Sequence, residues 1–321
     1  MGTKNIHDTF FKDAFTDKAL AVDFLKNYLP PSIAEHVRLD TLTITKDTFI
    51  DKKWDDYYSD LLYMVTFADG RPGFVYFLFE HKSYHDHFLT LQMLRYILEI
   101  WELYRKQHKN TRSLPLIIPI SIYHGQNNRS ALRVAELVDL PSPNLDIYVP
   151  DFEISFYDFS PGSEQDIKGA ITLKLILSCF RAKNLPESLH HLFEILTLLN
   201  KLDNSETGLK WMEVIFRYML ETMDINEHDL REMAQKALDP GKEDTIMTLA
   251  DRLRKEGEEK GLEKGIVKGH NELFNRLLHK KFGDIRDPHI QKRLRNATPD
   301  QIDRWFDRIL EAKSIEDVIK E

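Results

Sequence analysis

Residues 74–83 read FVYFLFEHKS. Phe74 to Phe79 form an unbroken apolar and aromatic run, which is how a strand buried on both faces reads. Glu80, His81 and Lys82 then follow at once. Just upstream, ADGRPG at 68–73 is rich in turn formers, and YYSDLLYMVTF at 57–67 reads as a second strand. Together they predict a hairpin. A turn centred between Gly70 and Arg71 sets Asp60 opposite position 80, 81 or 82, facing Glu80 in one register and Lys82 in another, and facing residues hold their Cβ atoms about 5 Å apart on one face. Glu80 and Lys82 share that face because strand side chains alternate with a period of two. Asp60, Glu80 and Lys82 are therefore expected to converge at one end of an apolar hairpin. Two readings fit. One is an ion-paired rim of a sheet. In the other, a divalent cation relieves the repulsion between two close carboxylates. Mg²⁺ suits such a site, since it takes one or two carboxylates, waters and phosphate oxygens.

Outward from the hairpin, residues 7–28 carry apolar side chains at helical spacing, and Pro30 and Pro31 stop that helix. TLTITKDTFI at 41–50 alternates as a strand does. An amphipathic helix is expected over 87–107, and LPLIIPISIYHG at 114–125 is another buried strand. Buried strands interleaved with helices predict an α/β core, a mixed sheet flanked by helices. Beyond residue 163 no strand is expected. Helical stretches cover 165–182, 187–201, 206–223 and 227–238. Pro240-Gly241 reads as a break, a charged helix follows over 243–281, and two or three small helices close the chain. The expected divisions are a core over 1–163, a helical subdomain over 164–241, the long helix over 242–281 and a small helical domain over 282–321. TPDQ at 298–301 is a helix start with Thr298 as cap and Gln301 completing a capping box.

Composition bounds the rest. The chain has 321 residues, 42% of them hydrophobic and 30% charged, with a net charge of −8. That charge argues against a surface coated for non-specific nucleic-acid binding but permits a local basic cleft. The one cysteine, Cys179, has no internal disulfide partner and lies in an apolar stretch, so a reducing, cytoplasmic setting is expected. The first residues lack the apolar run of a signal peptide. No window is long and apolar enough to span a membrane.

His81, His85, Asp86 and His87 crowd one loop, where a solvated loop is the simpler reading than zinc. His7-Asp8 is too common a pair to define a phosphohydrolase. Lys12, one turn past Asp8, is either a phosphate contact or part of a solvated helix face. Arg105 and Lys106 form either a wall of a DNA cleft or the cationic end that any helix prefers. Gly257, Gly261, Gly265 and Gly269 recur every four residues beside Lys260, Lys264 and Lys268. Each glycine weakens a helix by about 1 kcal/mol relative to alanine. A groove that admits a second helix offsets this, with Glu259 and Glu263 answering the lysines. Self-association through 243–281 is the expectation, with a flexible charged linker as the alternative.

The spacing Asp60, nineteen residues, Glu80-x-Lys82 resembles the PD-(D/E)XK nuclease superfamily. QMLRY at 92–96 matches the Q-x-x-x-Y motif of its RecB-like branch. HDTFFKDAF (7–15), FLKNYLPPSI (24–33), YYSDLLY (57–63), FLFEHKS (77–83), LRYILEIWE (94–102) and LPLIIPISIYHG (114–125) together resemble the Rpn family of recombination-promoting nucleases, over roughly residues 5–240. The resemblance implies a restriction-endonuclease-like core and a DNA endonuclease that depends on Mg²⁺, or on Mn²⁺ or Ca²⁺, in recombination, mobile-element or phage-defence biology. It implies that Asp60 and Glu80 bind metal and that Lys82 positions the nucleophile or stabilises charge. Gln92 and Tyr96, with Arg95, would orient the strand or the lysine. Ser59 stands where the superfamily's name has proline, and many relatives have glutamine where this chain has Lys82. The alternative is a catalytically silent, oligomeric nucleic-acid-binding or regulatory module.

Overall fold

The computed structural model describes residues 5–45, 61–80, 87–125, 133–182, 188–285, 287–295 and 297–320, with the backbone alone at 79–80, 188, 263–264, 295 and 299–300. The single helix expected over 7–28 is two helices, α1 (Ile6–Phe15) and α2 (Lys18–Tyr28). The break is local chemistry. The Asp17 carboxylate accepts from Ala19 N at 2.8 Å as an N-cap, and a cap residue has extended backbone, so the helix must restart there. Pro31 does more than stop α2. It opens a short helix, α3 (Pro31–Ala34), at a position where its missing N–H is no loss.

Among the described residues, five strands form one sheet in the order β1 (Val37–Ile44), β2 (Leu61–Phe67), β3 (Pro72–Glu80), β4 (Leu116–Tyr123) and β5 (Ser155–Asp158). The pairs β1–β2 and β2–β3 are antiparallel, and β3–β4 and β4–β5 are parallel. β1 begins four residues before the expected strand, and 46–50 lie outside the described residues. β5 was not expected at all. It has four residues, and they pair only because β4 offers an open edge.

α4 (Leu89–Gln107) joins β3 to β4 and covers one face of the sheet. Phe74, Tyr76 and Leu78 of β3 meet Met93, Tyr96 and Ile97 of α4 in one buried cluster. The opposite face carries α1 and α2. There the fully buried Phe77 ring lies 5.6 Å from Phe15 and 5.9 Å from Phe24, centre to centre. Burying each such ring stabilises the fold by about 1.5–3 kcal/mol. The unbroken apolar run of β3 thus has a helix layer for each of its faces.

The second half of the chain is helical, as expected: α5 (Ile171–Ala182), α6 (Ser188–Leu199), α7 (Glu206–Thr222) and α8 (Glu227–Ala237). α5 starts six residues later than expected because Gly169 has φ +105°, which no right-handed helix accommodates. The Ala170 N–H instead donates to the Asp23 carboxylate at 2.8 Å. Cys179 is buried on α5, and burial pushes its thiol pKa up, so it stays a neutral core thiol.

α9 (Pro240–Phe282) takes in Pro240 and Gly241 rather than breaking at them, with Pro240 as its first residue. α10 (Pro288–Arg295), α11 (Pro299–Ile309) and α12 (Ile315–Val318) follow. The chain divides into two compact units, Met1–Ile246 and Met247–Glu321. Among the described residues no helix is long and apolar enough to cross a membrane.

Candidate active site at the carboxyl edge of the sheet

β3, β4 and β5 run parallel, so Glu80, Tyr123 and Asp158 end at the same edge of the sheet. β2 runs against them and therefore begins there, at Leu61, the residue after Asp60. In sheets of this kind ligands bind beyond the carboxyl ends of parallel strands. The described start of β2 and end of β3 thus lie at an edge suited to a site.

The hairpin register differs from expectation. Leu61 faces Phe77 and Thr66 faces Pro72, two residues short of a pairing that would set residue 60 against Glu80. The turn is responsible. It closes around Asp69 and Gly70, with Gly70 N donating to Phe67 O at 2.9 Å and Phe67 N to Arg71 O at 2.9 Å. Gly70 takes φ +87°, which glycine adopts without strain. The Asp69 carboxylate binds Arg71 from both backbone and side chain, and those bonds hold its pKa below the usual carboxylate range. Asp60 and Lys82 themselves lie outside the described residues, as do His81, His85 and Asp86. Among the described residues no cluster of His, Cys, Asp and Glu could hold a metal ion. The described His87 packs edge-on against Phe88 at 5.3 Å between ring centres.

The Q-x-x-x-Y residues are brought to the right face. Tyr96 is buried, its ring 5.5 Å from that of Tyr76, which shares the strand parity of Leu78 and Glu80. The Gln92 side-chain amide donates to the Tyr96 hydroxyl at 3.3 Å. α4 must run back along β3 to start the parallel strand β4. One turn from Tyr96 to Gln92 therefore advances ~6 Å toward the carboxyl edge. Two strand residues advance a similar ~6.6 Å, which sets Gln92 over the level of Leu78, next to the end of β3. Arg95 reaches Glu99 at 3.4 Å, and its guanidinium lies 5.0 Å from the centre of the Tyr96 ring.

The expected DNA contacts are less concentrated. Arg105 and Lys106 occupy the last turn of α4, roughly 20 Å from Gln92 along the helix axis. With His108 and Lys109 they line a separate shallow pocket. Lys12 is exposed near the end of α1. Lys12, Arg105 and Lys106 are thus not gathered around Gln92.

β4 adds polar positions on the same face of the sheet. Ser121 and Tyr123 are its two hydroxyl-bearing positions apart from the strand's aliphatic and proline residues, and they alternate onto the α4 face. Glu80 pairs directly with Tyr123 and Leu78 with Ser121. The signal was available as two hydroxyls at period two in an otherwise apolar strand. On the opposite face, His7 Nδ1 lies 2.8 Å from the Tyr218 hydroxyl, and the His7 and His124 rings are 5.2 Å apart. His124 is buried and stacks on Phe180 at 5.1 Å. His7 therefore belongs to a buried aromatic cluster, where burial holds the Tyr218 phenol well above its ordinary pKa.

The fold is that of a mixed-sheet α/β protein in which the end of β3, the crossover helix α4 and the end of β4 meet at one carboxyl edge. The chain belongs to the family described as "Putative transposase, YhgA-like", which matches residues 5–210. Similar proteins from Escherichia coli strain K12 bear out the Rpn resemblance. The recombination-promoting nuclease RpnA is 28% identical over 79% of this chain and 85% of its own length. The recombination-promoting nuclease RpnC is 30% identical over 79% of this chain and 82% of its own. A third, named inactive recombination-promoting nuclease-like protein RpnE, is 28% identical over 81% and 85%. No solved structure matches the chain.

Proposed function

We propose that this protein is a divalent-metal-dependent DNA endonuclease acting in recombination or mobile-element biology. The observation that carries the reading is the stacking of α4 on β3, which brings Gln92 and Tyr96 to the face and the end of the strand where Glu80 stands. The names of RpnA and RpnC support it. Asp60 and Glu80 would hold Mg²⁺ or Mn²⁺, since paired carboxylates are the hard oxygen donors these ions take. A bound ion of this kind lowers the pKa of its water and offsets charge on a phosphodiester. Lys82 would place a cation beside the scissile phosphate. Gln92, fixed by Tyr96, would orient the strand or the lysine. Lys12, Arg95, Arg105 and Lys106 would meet the phosphate backbone, with Arg105 and Lys106 reaching DNA about six base pairs from the cut, at roughly 3.4 Å per base pair.

We further infer that the protein works in the cytoplasm and self-associates through residues 243–281. Among the described residues, a Cβ at Gly257, Gly261, Gly265 or Gly269 would meet nothing within 4 Å beyond its own stretch of helix, and Leu262 and Ile266 beside them are exposed, which supports the reading. One observation favours a second reading, a silent nucleic-acid-binding module: RpnE, a relative of this chain, is named inactive.

Plasmid nicking with Mg²⁺ or Mn²⁺ separates the two, with wild type beside Asp60→Ala and Glu80→Ala. Metal-dependent nicking by wild type, lost at least 100-fold in both variants, is the expected result. Equal nicking by all three would place any activity elsewhere. DNA binding without cleavage by any of them would establish the silent module.

A further inference from the structure

The opposite edge of the sheet, where β3 and β4 begin, holds a hollow of about 560 Å³. Its walls are apolar at Phe67, Tyr104, Leu114 and Leu116, with His36 and Arg71 among its polar groups. The Phe67 ring lies across the backbone of Gly73, where a Cβ would come within 2.2 Å of it. Leu114 and Leu116 are 46% and 59% exposed, so the hollow presents apolar surface to water. Tyr104 is held by two rings. Phe74 meets it edge-on at 6.2 Å, and His108 stacks on it at 4.1 Å between ring centres, with the planes 20° apart.

His108 also lines a second hollow, of about 430 Å³, with Arg105, Lys106, Lys109 and Thr111. The two hollows share a wall. The Tyr104–His108 stack joins a residue of one to a residue of the other, and the Thr111 hydroxyl donates to the Ser113 carbonyl at 2.8 Å. Three cations within residues 105–109 stand out in a chain whose net charge is −8. Glu102 is the acid of the cationic hollow, and Asp69, in the apolar one, is paired with Arg71. An aromatic, apolar hollow beside a cationic one suits the two parts of a nucleotide, a flat ring to stack and a phosphate to neutralise.

We propose that this edge binds an unpaired nucleotide of a DNA strand, its base against Tyr104 and the neighbouring phosphates on Arg105, Lys106 and Lys109. The proposal deepens the reading above by naming the substrate class, DNA that carries a single-stranded stretch, and it rests on the part of that reading that makes DNA the partner. A strand fits better than a free nucleotide, because the cations are spread over the end of α4 and the loop after it. Duplex DNA offers those cations a backbone but keeps its bases stacked inside, so it has nothing for the hollow. β3 spans nine residues from Pro72 to Glu80, which sets the hollow ~26 Å from the edge where the carboxylates would act.

The test reads binding by fluorescence anisotropy in EDTA, with the full chain, a labelled oligothymidine strand and a duplex of the same length, over a range of salt. Tyr104→Leu removes the ring and keeps apolar bulk. Leu114→Glu puts a charge on an exposed part of the wall, where the thermal midpoint should stay that of wild type. Each should weaken binding of the strand about 5- to 100-fold and leave duplex binding within about twofold, while Tyr104→Phe keeps both. Lys109→Ala should lower the salt slope of strand binding by about 0.7, which Tyr104→Leu should not change. Equal losses for strand and duplex, or strand binding unchanged in both Tyr104→Leu and Leu114→Glu, would overturn the inference. So would thymidine monophosphate displacing the strand at equal nucleotide concentration, which would make this a free-nucleotide site. Because no metal is present, cleavage plays no part. Strand binding as expected in a protein that never nicks plasmid would keep this inference and end the nuclease reading. Nicking without this binding pattern would do the reverse.

Discussion

In residues 1–246 the core is built from rings that meet across the chain, whereas in 247–321 helices lean on one small cluster and on their own ends. Phe15, Phe24, Tyr63 and Phe77 come from two helices and two strands and pack ring against ring. All twelve tyrosines of the chain lie in the first unit. The second unit gathers Phe274, Leu278, Ile302, Trp305 and Ile309. Its helix starts are written locally, as capping boxes at Thr298–Gln301 and Ser314–Asp317. The Lys281 ammonium adds a tie, donating to the Ile309 and Leu310 carbonyls at 2.6 and 2.7 Å. A unit that carries a site on a sheet edge needs long-range contacts to hold its strands in register. A short helical unit gets by with local signals and a few large side chains.

The largest effect that could break this contrast is a ring deletion. Phe77→Ala should destabilise the first unit by about 3–5 kcal/mol, because its neighbours come from three other elements. Hydrogen-exchange mass spectrometry should show peptides of 74–80 losing protection while those of 299–309 keep theirs. Phe274→Ala should do the reverse. Loss of protection in both units from either change would mean that they fold as one.

Alkaline pH sharpens the same contrast by a smaller amount. Burial raises the Tyr63 and Tyr218 phenols and pushes Tyr157 up to about 12. A phenol with a raised folded pKa gives its full stabilisation below the unfolded value of about 10. That stabilisation is lost as pH rises through the folded value. Tyrosinate absorbance should therefore show a group of tyrosines that ionises only as the first unit unfolds. The second unit has no tyrosine and should be untouched by this route. Ionisation of all tyrosines near pH 10 in the folded protein would refute the packing described.

The smallest effect is a cap. Thr298→Ala should cost about 1 kcal/mol, since the Thr298 hydroxyl accepts from Gln301 N and the Gln301 side chain returns to Thr298 N at 2.9 Å. Urea unfolding followed on 299–309 should show the loss, with the first unit unchanged.

Much of this was legible in the residues. β3 announced itself as a strand buried on both faces, and α4 as a helix, because apolar periodicity is imposed by the layer each element must pack against. Thr298 and Gln301 signalled α11, since a cap acts within one turn. The Q-x-x-x-Y spacing marked Gln92 and Tyr96, and the structure gives them one face and a hydrogen bond. Other features were not legible. The break at Asp17 hid inside a continuous apolar pattern, because a capping carboxylate looks like any surface acid. β5 was too short to carry a period of its own. The hairpin slipped two residues from the expected register because the Asp69 carboxylate and the left-handed Gly70 tightened the turn.

Sequence alone was enough to say that the chain is an α/β core followed by helices, that the run from Phe74 belongs to a buried strand, and that the Asp60, Glu80 and Lys82 pattern resembles a nuclease. These are properties of neighbouring residues and of spacing, and they survive without coordinates. Only the tertiary structure decided which strands are parallel, and hence that β2, β3, β4 and β5 share one edge. It also decided that Arg105 and Lys106 stand far from Gln92 along α4, and that Tyr123 of β4 pairs with Glu80 of β3. Strand pairing is a contact between segments far apart in the chain, and no local pattern in either segment names its partner.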